Sequence, residues 1–192
     1  MEFNRQSLKS KSQIKRITAA LAAALVSSLI RPPAAVSAAS PSEAEVQSAY
    51  IYNFIPLISW PERNAAASSG SVKICHVGEG PLAGELSGLT GRQAGGRVIR
   101  VSSAAVAGES LSSCDIVMLS PSVREQIPVI LKKLEGSAIL TVSPIPQFAR
   151  KGGVVGFVTE KGRVRIEISL GALKKTGLKV SAKLMEVARL LK

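Results

Sequence analysis

The stretch SVKICHVGEGPLAGELSGL, Ser71 to Leu89, decides the fold class. Its first eight residues form an apolar-rich run that ends at a glycine, which reads as a β-strand. Gly78, Gly80 and Pro81 break that run, and PLAGELSGL continues as a short helix. A strand, a glycine turn and a helix in this order open an α/β unit rather than an all-β or all-helical domain.

Downstream the alternation continues. GRVIRVSS (Gly96 to Ser103) reads as a second strand and CDIVMLS (Cys114 to Ser120) as a third, the latter with an unbroken apolar run. SVREQIPVILKKL is an amphipathic helix with Ser122 as its N-cap and Gly136 ending it. SAILTVS (Ser137 to Ser143) is a fourth strand, followed by a loop or short helical turn over PIPQFARKGG. Val154 to Leu170 reads as a β-hairpin turning at Glu160 to Gly162, and its second arm alternates Val164, Ile166 and Ile168 with Arg163, Arg165 and Glu167. GALKKTG and SAKLMEVARLLK close the chain as two helices, the last with Leu184, Met185, Ala188 and Leu191 on one stripe. The expectation is an α/β single domain over 40–192, with a mixed six-stranded sheet flanked by about five helices.

Upstream lies AYIYNFIPLISWP, Ala49 to Pro61, which holds Tyr50, Tyr52, Phe54 and Trp60 in a chain of one Trp, two Tyr and four Phe. Apolar spacing predicts a helix over Glu43 to Ser59, ended by Trp60-Pro61 because a residue before proline is pushed out of the α region. Tyr50, Phe54, Leu57 and Ile58 share the face that docks on the sheet. Tyr52 and Trp60 lie off it, as candidates for a partner surface or for a rim that closes the core edge.

Residues 1–39 set the compartment. Arg5, Lys9, Lys11, Lys15 and Arg16 precede the apolar run Ile17 to Ile30, and RPPAAVSAAS follows with small residues suited to signal-peptidase cleavage after Ala38 or Ala39. This is the pattern of a secretory signal peptide, and the run is short for a membrane span of about 20 residues. Export places the mature protein in an oxidising compartment. The leader takes six of 25 basic residues and one of 13 acids, so residues 40–192 carry 19 − 12 = +7. Scattered basic residues in an exported protein point to an acidic partner or anionic lipid rather than to nucleic acid.

Chemistry offers few candidates. GEGPLAGE has glycine spacing one residue longer than the dinucleotide fingerprint and lacks the Lys-Ser/Thr of a P-loop, so it reads as a strand-to-helix turn. His76 is the only histidine and Asp115 the only aspartate, which supports neither a metal site nor a triad. Cys75 and Cys114, an even pair in an exported chain, are expected to form a disulfide, with two buried thiols as the alternative. Glu167, between Arg165 and Ser169, is expected on a polar face in a surface ion pair with Arg163 or Arg165. No enzyme, cofactor or metal is indicated.

Several separated stretches together resemble the YfiR-like family of periplasmic proteins: AYIYNF with WP six residues later, ICHVG, GRVIRV, CDIVMLS, LTVS, FARKGGVVGFV, GRVRIEISL and TGLKVSAKLMEVARL. They run in the family's order from about Ala44 to Leu190. The resemblance implies a regulator that holds a membrane-bound diguanylate cyclase of YfiN type inactive and lowers cyclic di-GMP, which restrains biofilm formation. It also implies sequestration by an outer-membrane lipoprotein of YfiB type, a six-stranded mixed sheet and a homodimer. Cys75 and Cys114 match one family cysteine pair, whereas Ala149 and Gly156 stand where some relatives carry a second. Pro144 replaces a common acidic residue and Ser169 a frequent Asn. Tyr52, Trp60, Arg165, Glu167 and Lys179 are the candidate partner contacts, chosen for expected exposure and chemistry. The alternative function is a periplasmic small-ligand-binding module using the glycine turn or the aromatic helix.

Overall fold

The computed structural model describes residues 40–61, 70–105 and 109–192, so the leader expected over 1–39 lies outside the described residues. Helix α1, Glu43–Phe54, starts at a capping box: Glu45 N–H donates to Ser42 Oγ at 3.2 Å, and Ser42 N–H donates to the Glu45 carboxylate at 2.6 Å. The hydrogen bond from Ser42 N–H holds the Glu45 carboxyl below its ordinary range. The helix is shorter than the spacing predicts. It tightens into a 3-10 turn at Ile55–Leu57, with Pro56 in that turn, and becomes strand β1, Ile58–Ser59.

The remaining elements are β2 (Ser71–Val77), α2 (Pro81–Ser87), β3 (Gln93–Ala94), β4 (Arg97–Ser103), β5 (Ile116–Leu119), α3 (Ile127–Leu134), β6 (Leu140–Ser143), β7 (Val155–Glu160), β8 (Arg163–Ser169), α4 (Leu170–Thr176), β9 (Lys179–Val180), α5 (Ala182–Val187) and β10 (Arg189–Leu191). The main sheet has eight strands in the order β10-β8-β7-β6-β5-β2-β4-β3. Central pairs β4–β2–β5–β6–β7 are parallel, the hairpins β3–β4 and β7–β8 antiparallel, and β10 runs parallel to β8. The six strands read from the sequence are all present. The two additional ones, β3 and β10, are edge strands of two and three residues, too short for a periodicity to register. The expected terminal helix ends at Val187, and its last residues leave the helix to pair in register with Glu167–Ser169.

Unbroken apolar strands follow from burial on both faces. In β5, Ile116 and Met118 enter one core and Val117 and Leu119 the other. The first core packs β-sheet residues such as Ile74, Ile99 and Val142 against Ile51 and Phe54 of α1, and Tyr50, Phe54 and Phe157 stack with ring centroids 6.2–6.4 Å apart. The helix face is broader than expected, because Ile51 and Ile55 are buried beside Phe54 and Ile58 while Leu57 is only half-buried. The second core joins Cys75, Leu111, Cys114, Ile127, Ile130 and Phe148 beneath α3.

Ser122 does not cap α3. A 3-10 stretch over Pro121–Gln126 precedes that helix, whose N-cap is Gln126. The hydroxyl of Ser122 instead reaches the glycine turn after β2, accepting from Glu79 N–H at 3.0 Å and donating to Glu79 C=O at 3.2 Å.

Candidate partner-binding surface

Strand alternation sends consecutive residues to opposite faces. Cys75 therefore belongs to the core under α3, whereas Val72 and Ile74 face the other core and His76 shares their parity. Cys75 and Cys114 form a disulfide with Cα atoms 6.0 Å apart, and both are fully buried. His76 Nδ1 lies 3.3 Å from the carbonyl of Gly78, a local contact within its own turn. His76 thus shares the parity of the face opposite Cys75, and both thiols are committed to the bridge, which leaves no cysteine as a nucleophile for it.

The glycine turn is closed by packing. A Cβ on Gly78 would collide with Ser122 Oγ and lie 2.9 Å from a Val123 methyl, so Gly78, at φ +82°, is required there by both space and backbone. In an open α/β sheet the crevice beside the first strand is where ligands commonly bind. Here Ser122 occupies it and takes the Glu79 amide that a phosphate would need.

The sole aspartate is a structural clamp that sequence reasoning weighed only as an acid. Its carboxylate accepts from Lys73 N–H at 2.8 Å, and its carbonyl accepts from Leu140 N–H at 2.9 Å and from the Trp60 indole N–H at 3.3 Å. Asp115 thereby ties β2, β6 and the segment after β1 to the mouth of β5.

The five candidate contacts fall into two groups. In the first, β1 and β9 form a separate antiparallel ribbon in which Ser59 faces Lys179, one residue from Trp60 along the chain. Tyr52 donates its hydroxyl to the Gln93 carbonyl at 2.6 Å, fixing α1 on the β3–β4 hairpin. Arg92 stacks over the Tyr52 ring with Cζ 4.9 Å from its centroid, and Arg97 over Trp60 at 4.8 Å. Between the two stacks Pro56 rests on Gly95, whose Cβ would approach Pro56 Cβ to 3.0 Å. Both aromatic rings are half-buried against the first core, and Lys179 is exposed.

A guanidinium held over a ring by cation–π attraction keeps N–H donors for a carboxylate, at a gain of about 0.5–1 kcal/mol in exposed positions. Among the described residues, none of Arg92, Arg97 and Lys179 has a carboxylate within ion-pair distance. Arg92 and Arg97 were absent from the sequence reading. The signal for them was Gly95-Gly96, a two-residue hairpin loop that pairs Ala94 with Arg97 and brings the two arginines to one end of the sheet.

The second group is the pair on β8. Arg165 is exposed, opposite Val158 of β7. Glu167 is not on a wet face: it is 5 % exposed, and its partner is neither Arg163 nor Arg165. Arg189 forks between Glu167 Oε1 at 3.2 Å and Glu160 Oε1 at 2.7 Å. The physical reason is register, since β10 sets Arg189 directly opposite Glu167. Hydrogen bonding to Glu160, then its charge, and hydrogen bonding to Glu167 push the Arg189 pKa above its ordinary value. The Arg189→Met variant is expected to release β10. Amide exchange at Arg189–Leu191 should accelerate while the β7–β8 ladder keeps its protection; unchanged exchange at those three residues would show that the fork does not hold the strand.

A family model described as YfiR/HmsC-like matches residues 44–189. No curated protein matches the chain. Among solved structures, a conserved domain protein from Vibrio cholerae O1 biovar El Tor is similar in fold, with a TM-score of 0.50 and 11 % identity over 79 % of this chain. The match spans 60 % of that protein's length.

Proposed function

This chain belongs to the YfiR/HmsC-like family, whose members are periplasmic regulators of cyclic di-GMP signalling, and on that premise we propose that it represses a membrane-bound diguanylate cyclase of YfiN type by direct contact with the cyclase's periplasmic part. The observation that carries this reading is the surface of Tyr52 and Trp60, where Arg92, Arg97 and Lys179 stand without carboxylate partners among the described residues. Rigid aromatic rings with oriented guanidiniums are the side chains that dominate protein–protein contacts. The filled glycine turn and the disulfide-bound Cys114 favour binding over turnover.

Repression works by population shift. A repressor that binds the inactive arrangement of the cyclase about 100-fold more tightly than the active one turns a balanced equilibrium almost wholly off. On the same reading the leader over 1–39 directs export, the protein acts as a homodimer, and a YfiB-type outer-membrane lipoprotein relieves repression by competing for it. Arg165 and, through its tie to β10, Glu167 belong to a second contact region.

Deleting the gene is expected to raise cellular cyclic di-GMP only in cells that carry the cognate cyclase. Arg97→Glu and Lys179→Glu should reproduce most of that rise with the fold retained and the melting temperature lowered by no more than about 4 °C, and Arg165→Glu a smaller part. Unchanged cyclic di-GMP after deletion, in a strain shown to make both proteins, overturns the repressor reading.

A further inference from the structure

A cleft of about 520 Å³ opens between α3, the turn at Ala149–Lys151 and α4, away from the aromatic surface and from the glycine turn. Its volume falls within the range of about 300–1,000 Å³ usual for small-molecule sites. The floor is apolar, built from Leu134, Ile139, Ala149 and Val154, all buried. One polar group is set into that floor. Thr141 is 4 % exposed, and its Oγ1 accepts from Val154 N–H at 2.9 Å, which leaves the hydroxyl hydrogen without an acceptor among the described residues.

The rim is cationic. Lys132, Arg150, Lys151 and Lys175 line it, against a single carboxylate, Glu135. Lys175 already pairs with Glu135 at 2.8 Å, and that contact holds the Glu135 carboxyl below its ordinary range. Lys132, Arg150 and Lys151 have no carboxylate within ion-pair distance among the described residues. An apolar floor carrying the buried Thr141 hydroxyl, with Arg150 and Lys151 unpaired at its mouth and Lys132 sharing the field of Glu135, matches a ligand with a hydrocarbon body and an anionic head.

We propose that this cleft is a binding site for a small organic carboxylate, with the hydrocarbon part over Ile139, Ala149 and Val154 and the carboxylate toward Arg150, Lys151 and Lys132. Bare phosphate satisfies the rim and leaves the floor wet; a neutral amide of the same shape satisfies the floor and leaves the charges unused. The inference stands apart from the repressor reading, since none of these residues belongs to the aromatic surface.

The test is titration of the ¹⁵N-labelled protein with hexanoate, hexanamide and inorganic phosphate, followed by amide chemical shifts. Hexanoate is expected to give saturable shifts clustered at Gly136, Thr141, Gly152 and Ala172, with hexanamide and phosphate about tenfold weaker. The Arg150→Glu/Lys151→Glu double variant, at exposed positions, should weaken hexanoate binding by about tenfold while keeping the native spectrum elsewhere. The separate Lys132→Glu variant should weaken it to a lesser degree. Scattered or absent shifts, equal binding of hexanamide or phosphate, or full hexanoate affinity in the double variant would each overturn the proposal. Cyclic di-GMP levels play no part in this readout, so its failure leaves the repressor reading standing.

Discussion

Opening the Cys75–Cys114 bridge is expected to lower the stability of the folded domain by about 4 kcal/mol in the chain-entropy description of a loop of this size. The two cysteines are 39 residues apart in sequence, and the bridge closes over α2, β3 and β4. It joins the middle of β2 to the segment that enters β5, both sulfurs being fully buried under α3. The native state does not depend on it for register, because β2 and β5 pair from Ile74↔Ile116 to Val77↔Leu119 through their own ladder. What is lost on reduction is the restriction of the unfolded chain. For a domain of this size the melting temperature should fall by about 8–16 °C. Reduced protein and the Cys75→Ala/Cys114→Ala double variant should agree to within about 1 kcal/mol, the difference reflecting lost packing of the two sulfurs. An equal midpoint with and without reductant, in protein shown by mass to be fully reduced, would remove the bridge from the stability of this fold.

The second large effect is expected at Phe148 and Gly153. Phe148 is 1 % exposed and fills the core under α3, while a Cβ on Gly153 would collide with one edge of its ring. The turn between them is held by Gly153 N–H donating to the Phe148 carbonyl at 3.1 Å, with Gly152 in the left-handed region at φ +98°. Phe148→Ala should cost about 3–5 kcal/mol as a cavity, and Gly153→Ala about 1–3 kcal/mol as overpacking. The two are coupled by contact. The Phe148→Leu/Gly153→Ala double variant should lose less than the sum of its parts, because the shorter side chain yields space to the new methyl. Strict additivity in urea unfolding would show that the ring does not rest on this glycine. The same turn carries Arg150 and Lys151 to the rim of the cleft, so its rigidity positions that site.

The candidate surface was only partly legible. Tyr52 and Trp60 stood out as rare aromatics off the helix's docking face, and both do lie at the rim of the first core. The cations that complete the surface were not visible, because Arg92 and Arg97 meet Tyr52 and Trp60 only when the β3–β4 hairpin folds back under α1. Glu167 shows the opposite failure. Its polar neighbours in sequence suggested an exposed ion pair, and its actual partner is 22 residues away on a strand that looked helical.

What the chain's local pattern carries is the architecture of the sheet's interior. The unbroken runs of β5 and β6, the alternation of β8 and the glycine turn after β2 follow from how each backbone geometry presents its own side chains, a short-range property written in residues two to four apart. The cysteine pair was legible for a different reason, an even count in a chain that opens with a leader-like pattern. Edge strand β10, the stop of α1 at Phe54, and the serine that fills the turn after β2 are of another kind. None of them is set by a local period, and each exists because a distant segment offers backbone or side-chain partners in the right register: Glu167–Ser169 for β10, Val180 for Ile58, Ser122 for Glu79. Their stability comes from contacts made once the sheet has formed, and no window of neighbouring residues contains both partners.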